Sequence, residues 1–153
     1  EYDNGTYCIV APRSIDDIYR EGIVLKHCIH TCDIYFQRMD IRETYLLFLR
    51  HSAEPDTPWY TVEIEPGGNI RQKKSVLNEA YKDLDDAMPF LQEWQQWVKK
   101  NLSEEDKKLA EKSDKARREG YKKLREQKKI VWHGSLQGTL LADALESDFM
   151  EVI

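Results

Sequence analysis

The stretch KHCIHTC, residues 26 to 32, brings two histidines and two cysteines close together in the chain. Imidazole nitrogens and thiolates bind metal ions, and a thiol beside a base can act as a nucleophile. The same spacing also suits packing, because Cys28 and Cys32 are four residues apart and would share one face of a helix. The stretch therefore allows three interpretations: a metal site, a reactive thiol or buried helix residues.

A structural zinc site needs four ligands that converge tetrahedrally, usually from two separate elements. The stretch lacks the paired CxxC framework of such sites, and Cys8 is the one cysteine elsewhere in the sequence. We therefore expect neither a metal ion nor another cofactor.

A nucleophilic Cys28 would need a base, a cation or a helix N-terminus close by. His27 precedes it, but on a helix the two side chains point about 100° apart and make a poor pair. The sequence favours packing, because small apolar cysteines fit a stripe that recurs at three- and four-residue steps. This stripe consists of Leu25, Cys28, Cys32, Tyr35 and Met39.

The elements that would position these residues predict an α+β fold. Residues 6–12 are typical of a short strand, residues 15–21 of a helix that ends at Gly22, and residues 23–39 of a second helix. Three further strands, separated by loop and turn signals, should form an antiparallel meander. They are predicted at residues 44–51, 59–65 and 70–76.

The second half of the sequence is helical in pattern. Residues 84–102 carry an apolar stripe, and SEED at 103–106 is a capping box with Ser103 as the N-cap. A long charged helix follows, and a short acidic amphipathic helix ends the chain. We predict an α+β domain at residues 1–102 and a helical appendage at residues 103–153.

The long helix is richer in basic than in acidic residues, although the net charge of the chain is −5. Such a helix could lie along phosphates, and the candidate nucleic-acid contacts are Lys115, Arg118, Lys122, Lys123 and Arg125. Two alternatives stay open: a solvated helix with ion pairs such as Asp114–Arg118, and an arm that packs on a partner or a second copy.

The bulk composition gives expectations about location. No apolar run approaches the ~20 residues of a membrane span, and no secretion leader is visible, so no membrane partner is expected. An odd number of cysteines favours a reducing cytoplasm. The chain begins with Glu1 rather than Met, which suggests a trimmed chain or a piece of a longer protein.

Nine residues follow one another in the order and spacing of a known family: Leu25, His27, Cys28, Tyr35, Arg50, Thr61, Glu63, Gln72 and Asn78. The segment from about residue 15 to 78 thereby resembles the PcfJ-like domain of conjugative plasmids, integrative elements and prophages. That family typically shows Leu-x-His-Cys, a Tyr, a strand ending in Arg, a Thr-x-Glu strand and Gln-x-(basic)-Gly-x-x-Asn. The resemblance covers nearly half of the chain.

The sequence departs from the family pattern in two places. Ile29-His30 stands where Val-Gly is usual, and Ser75 stands where the second motif usually has Gly. Any ligand loop that depends on the freedom of those glycines would be altered here. His30 and Cys32 lie outside the pattern, so His27-Cys28 is the pair that the resemblance singles out.

The matched residues could converge on one face of the sheet as a ligand or nucleotide site. Arg50 offers a fork for a carboxylate or phosphate, Glu63 could act as a base, and Gln72 and Asn78 could bind an amide or a base edge. The candidate catalytic residues are His27, Cys28, Arg50 and Glu63, and the candidate ligand-binding residues are Tyr35, Thr61, Gln72 and Asn78. Alternatively, an Arg50–Glu63 ion pair holds the meander together, provided that the strand register places both on one face.

Three functions follow as hypotheses. The first is a mobile-element accessory protein that binds nucleic acid or a nucleoprotein complex. The second is an enzyme with the His27, Cys28, Arg50 and Glu63 site, acting on a nucleotide or protein substrate. The third is an inhibitor or assembly factor that binds a host protein, or a second copy of the chain, through the C-terminal helices.

Overall fold

A computed structural model describes residues 2–27 and 32–153, so Cys28 and His30 of the cysteine–histidine stretch lie outside the described residues. The sheet has five antiparallel strands in sequential order, and the α+β class predicted from the sequence is confirmed. The strands are β1 Tyr2–Asp3, β2 Tyr7–Val10, β3 Tyr45–His51, β4 Tyr60–Ile64 and β5 Ile70–Lys74.

The sequence predicted one strand before the first helix, and the structure has two, because a hairpin at the N-terminus contributes both β1 and β2. Asn4 and Gly5 form its turn, with the Gly5 backbone at φ +91° and its amide bonded to Asp3. Glycine adopts this positive φ without strain, and the side-chain oxygen of Asn4 accepts from the amides of Thr6 and Tyr7. β2 then pairs with β3, with Ile9 opposite Leu49, so β3 becomes the central strand.

Within the described residues, five α-helices and two short 3₁₀ segments surround the sheet. The α-helices are α1 Ile15–Leu25, α2 Asp33–Asp40, α3 Met88–Lys100, α4 Glu104–Glu126 and α5 Leu141–Asp148. The 3₁₀ segments, Val76–Asn78 and Lys82–Ala87, connect β5 to α3. Along the described residues, no helix combines the length and the apolar composition needed to cross a bilayer.

The predicted end of the first helix was wrong, and so was the single helix over residues 23–39. Gly22 is buried inside α1, and the helix continues to Leu25. Lys26 then takes a left-handed conformation at φ 54°, and the amide of His27 bonds to the Gly22 carbonyl. This is the geometry of a helix C-cap, which glycine usually provides. α2 begins at Asp33, so Leu25 of the predicted stripe lies in α1, whereas Tyr35 and Met39 lie in α2.

The two faces of the sheet carry separate apolar clusters. On one face, α1 and α2 contribute Ile18 and Tyr35, which pack on Leu46 and Phe48 of β3. On the other face, residues of β2 to β5 pack against α3 and the segment before it, with Trp94 and Leu91 fully buried or nearly so. β3 is therefore covered on both sides, as its nearly continuous apolar sequence predicts.

α4 crosses one end of the sheet, where Ser113 donates to the carbonyl of Glu43 just before β3 and Arg117 binds Glu65 just after β4. The predicted capping box is present: Ser103 accepts from the amide of Asp106 at 3.0 Å, and Asp106 accepts from the amide of Ser103 at 3.3 Å. After α5, Met150 pairs with Ile70 at the outer edge of β5. The division at residue 102 stays a prediction, and residues on its C-terminal side contact the sheet directly.

Candidate functional site

Arg50 of β3 forms a buried, two-pronged ion pair with Glu21 of α1. Its Nη1 and Nη2 atoms each donate to one carboxylate oxygen at 2.6 Å. The Nε atom donates to the carbonyl of Pro55, and the guanidinium lies 4.6 Å from the ring centre of Phe48. Burial raises the pKa of Glu21, and the ion pair with Arg50 opposes that shift. The pair fastens α1 onto the sheet.

His27 lies next to this ion pair. Its Nε2 atom is 2.9 Å from the hydroxyl of Thr61, which in turn donates to Glu21 at 3.4 Å. His27, Thr61 and Arg50 are each at most 3% exposed. The fold therefore brings three of the predicted site residues together around Glu21. Cys28, the other member of the predicted His27-Cys28 pair, lies outside the described residues.

Glu63 of β4 is the centre of a second polar cluster on the same face. It accepts from Arg38 of α2 at 2.9 Å, from the hydroxyl of Thr44 at 2.7 Å and from the amide of Gln72 at 3.0 Å. Gln72 also contacts the hydroxyl of Tyr35 at 3.2 Å. Three predicted residues, Tyr35, Glu63 and Gln72, thus form one hydrogen-bonded group that fastens α2 to the sheet.

The suggested Arg50–Glu63 ion pair was wrong, although the two residues share a face of the sheet. The strand register places Glu63 opposite Leu46. Arg50 lies on the same face but farther along β3, on the other side of Phe48. Each charge is instead neutralised by a helix, Arg50 by Glu21 and Glu63 by Arg38. The two clusters are neighbours rather than one site.

Sequence reasoning missed Glu21, Arg38 and Thr44 as members of these clusters. A signal for Glu21 was present, because it lies between Ile18 and Leu25 on the buried face of α1. A carboxylate in an apolar helical stripe is costly unless it is paired. Arg38 and Thr44 lie on either side of the α2–β3 loop, and no pattern in the sequence distinguishes them.

A third cluster, also missed, joins α4 to the sheet. Glu65, which is 1% exposed, accepts from Arg71 at 2.7 Å and from Arg117 of α4 at 2.6 and 2.5 Å. Arg71 also donates to Glu43 at 2.7 Å, and Arg117 contacts Asp114. Buried carboxylates and guanidiniums therefore balance one another between β4, β5 and α4.

Asn78 lies apart from the clusters and lines a cavity that Gln72 also lines. This cavity has a volume of about 380 Å³ and is bordered by Lys74 and His133. Asn78 follows Leu77, and both residues have left-handed backbones with φ near 60°. Asparagine tolerates that conformation better than most residues, so its presence there has a backbone explanation.

The five basic residues predicted to contact nucleic acid are exposed on α4: Lys115, Arg118, Lys122, Lys123 and Arg125. Two of them are paired within the chain. Arg118 donates to Asp114 at 2.8 Å, and Arg125 contacts Asp143 at 2.6 Å and Glu146 at 2.7 Å. The three lysines form no ion pair with any residue that the structure describes.

The geometry of the clusters suits binding and support better than direct chemistry at Arg50 or Glu63. Both side chains are nearly inaccessible, and their polar atoms contact other protein groups at short distances. Within residues 2–27 and 32–153, no group of three or more His, Cys, Asp or Glu side chains is placed to hold a metal ion.

The fold and these clusters define a small α+β domain in which buried polar residues hold helices onto an antiparallel meander. A family model described as PcfJ-like protein matches residues 1–88, more than half of the chain, so the chain belongs to the PcfJ-like protein family. The family resemblance noted in the sequence is thereby confirmed. No curated protein and no solved structure matches the chain.

Proposed function

We propose that this protein is a nucleic-acid-binding accessory module of a mobile genetic element. Membership of the PcfJ-like family supports the association with mobile elements, since the resemblance noted above is to proteins of plasmids, integrative elements and prophages. The observation that carries the binding proposal is a line of lysines on the outer side of α4. We refer to Lys108, Lys112, Lys115 and Lys122 as the lysine line.

The lysine line follows from the helical period. Steps of four, three and seven residues keep the four side chains on one side of the helix, over about 21 Å of its length. All four are exposed, and none forms an ion pair within the described part of the chain. Phosphate groups can therefore approach these ammonium groups without first displacing a carboxylate.

The expected affinity is moderate, because acidic residues interrupt the basic surface. Glu119 lies on the same side of α4 as the lysine line, and the net charge of the chain is −5. Attraction to phosphates is then local to this helix. Such binding releases counterions, so the logarithm of the affinity should fall steeply with the logarithm of the salt concentration.

The same structure gives less support to the other two functions. The described members of the candidate catalytic set, His27, Arg50 and Glu63, are buried and bonded to protein groups. α5, the helix expected to bind a host protein, packs on α4 and β5 with Ala142 buried. Its apolar side is therefore at least partly used within the chain.

Binding to a fluorescent 20-base-pair duplex and to a single strand, measured by anisotropy between 50 and 300 mM salt, tests the proposal. The informative variant replaces Lys112, Lys115 and Lys122 with glutamine. It should bind at least about tenfold more weakly at low salt. Its salt slope should fall by about 0.9 for each lost phosphate contact, about 3 in total.

The matched control replaces three exposed lysines on other elements, Lys26, Lys82 and Lys100, with glutamine. It carries the same change in net charge and should keep most of the affinity and the salt slope. Equal losses in the two variants would mean that binding depends only on total charge. Absence of binding by the wild-type protein at 50 mM salt would also contradict the proposal.

A further inference from the structure

A cleft of about 350 Å³ opens between α2, the β4–β5 face and the C-terminal half of α4. Its volume lies within the range of about 300–1,000 Å³ that is usual for small-molecule sites. Glu63 and Gln72, two of the residues that match the family pattern, form its floor. Neither the α4 wall nor the α2 wall contains a residue from that pattern, so the cleft was not foreseen from the sequence.

Two of the cationic side chains that line this cleft keep exposed surface, Arg38 of α2 and Lys123 of α4. Arg38 of α2 contacts Glu63 through Nη1 and lies 3.7 Å from Glu43 through Nε, and its side chain remains 26% exposed. Lys123 of α4 is exposed and forms no ion pair with a residue that the structure describes. A guanidinium and an ammonium facing one opening can hold an anionic group such as a phosphate.

The wall below these cations is apolar and partly aromatic. Tyr121 and Leu124 of α4, Leu145 of α5 and Ile34 of α2 line it. The hydroxyl of Tyr121 forms no hydrogen bond within the described ranges, and burial raises the pKa of Tyr121, so the group stays a neutral donor. Such a wall can accept a flat ring while the Tyr121 hydroxyl binds a polar edge.

Gly120 provides the space in front of this wall. It lies in the interior of α4, where glycine is less favourable than alanine. A Cβ atom added to Gly120 would have no atom within 4 Å, so packing inside the protein does not require glycine there. The glycine leaves room in the cleft that a side chain would fill.

We propose that this cleft binds a nucleotide, with its phosphate between Arg38 and Lys123 and its base against Tyr121 and Leu124. Gln72 uses its amide nitrogen to contact Tyr35 and Glu63, and its oxygen has a second lone pair for an amino group of the base. The ligand is a free nucleotide or the end of a single strand, since both present the same groups. This site is separate from the lysine line and does not depend on it.

Calorimetric titration of the full chain with AMP, GMP, CMP and UMP tests the site, with the matching nucleosides and inorganic phosphate as further probes. We expect at least one mononucleotide to saturate the protein. Its nucleoside should bind at least about tenfold more weakly, because the charge-assisted contacts to Arg38 and Lys123 are lost. Failure of all four mononucleotides to saturate at 5 mM, or equal binding by the nucleoside, would overturn the proposal.

Two variants of α4 locate the ligand. Gly120→Leu should abolish binding by filling the cleft, whereas Gly120→Ala should bind and should unfold at the same or a higher temperature. Lys123→Gln, at an exposed position, should weaken nucleotide binding about tenfold, and Lys82→Gln, at an exposed lysine outside the cleft and outside α4, should leave it unchanged. Wild-type affinity in both Gly120→Leu and Lys123→Gln would contradict the site. Should Gly120→Leu fail to fold, Lys123→Gln alone decides.

Oligonucleotides separate the two sources of the ligand. If a 5′-phosphorylated single strand binds and a mononucleotide displaces it, the site accepts a strand end; if only the mononucleotide binds, the ligand is free. Loss of duplex binding in the lysine-line variant with normal nucleotide binding would support both proposals as separate sites. Duplex binding without any effect of Gly120→Leu or Lys123→Gln on nucleotides would leave the proposed function intact and reject the cleft.

Discussion

At the scale of single residues, the Glu21–Arg50 pair shows how this fold uses buried charge. Both side chains are at most 4% exposed, and two parallel hydrogen bonds join them. Removing two charges from water is expensive, and a well-aligned pair roughly offsets that cost. Loss of one partner, however, leaves the other charged and buried. The pair therefore makes the position of α1 sensitive to a single substitution.

Glu21→Gln should lower the free energy of unfolding by about 3–5 kcal/mol at neutral pH, because Arg50 loses its carboxylate in a buried setting. Urea denaturation followed by circular dichroism measures the change. The control is Glu105→Gln, which removes the carboxylate of the exposed Arg42–Glu105 pair. It should cost less than about 1 kcal/mol. Similar losses in both variants would mean that the buried pair adds little.

Because of the buried Tyr60, the free energy of unfolding should be lower at alkaline pH than at neutral pH. Its ring is fully buried, its hydroxyl donates to Asp83 at 2.7 Å, and burial together with that carboxylate raises the pKa of Tyr60. Above pH 10 the unfolded chain releases this proton while the folded chain keeps it. The folded state then binds more protons, so the free energy of unfolding falls as the pH rises.

Urea midpoints between pH 8 and 11 test this dependence. Tyr60→Phe should be less stable than wild type by about 1 kcal/mol at pH 8, because the hydrogen bond is lost. Its stability should then decline less steeply above pH 10, so the two curves approach each other. Parallel curves for Tyr60→Phe and wild type would refute the assignment.

The residue types in the sequence identified many of the polar side chains on this face of the sheet, but not the residues with which they form hydrogen bonds and ion pairs. Arg50, Thr61, Glu63 and Gln72 do share one face of the sheet, as the strand alternation allowed. Their partners come from helices, and the sequence does not encode in any local pattern how a helix is rotated and placed on a sheet. A hydrogen bond such as His27–Thr61, across 34 positions, follows only from that placement.

At the scale of elements, the ends of the helices show where the local sequence is sufficient to predict the structure and where it is not. α4 begins at a capping box that the letters SEED predict, because each side chain bonds the backbone of the other residue. α1 ends at Lys26 in a left-handed conformation, and no glycine marks the position. The positions of β2 to β5 were predicted well for the same reason as the capping box, because alternation and turn residues are local signals, whereas the two-residue β1 was missed.

Ser103→Ala should lower the free energy of unfolding by about 1 kcal/mol, because the amide of Asp106 loses its acceptor. Ser14 provides the matched control, since it is the N-cap of α1 and its side chain forms no capping hydrogen bond. Ser14→Ala should therefore be almost neutral. Equal losses for the two serines in urea denaturation would contradict this difference.

At the scale of the whole molecule, the buried Glu65 cluster connects the C-terminal half to the family domain. Arg117 of α4 binds both oxygens of Glu65 and lies 4.1 Å from the ring centre of Phe149. A charged, weakly apolar helix could not bury much surface, so specific ion pairs hold it in place. The sequence suggested an appendage because an amphipathic pattern was weak, and the buried arginine could not be distinguished from its exposed neighbours.

Arg117→Ala should cost about 3–5 kcal/mol, because Glu65 remains buried with one partner fewer. Arg118→Ala, at the next position of α4, removes a 70% exposed arginine that is paired with Asp114. It should cost less than about 1 kcal/mol. Thermal unfolding of both variants compares them directly, and similar losses would mean that α4 is not held by the buried cluster.

The pairing of Met150 with Ile70 has a consequence for synthesis of the chain. The ribosome synthesises β5 well before residue 150. The outer edge of β5 therefore lacks its Met150 partner while α3, α4 and α5 are being synthesised. An uncovered strand can recruit a strand from another nascent chain. Lys73 and Lys74 reduce this hazard, because like charges on two such strands repel each other. Once Asp148 arrives it contacts both lysines, and the same charges that kept other chains away then secure the chain's own C-terminal segment.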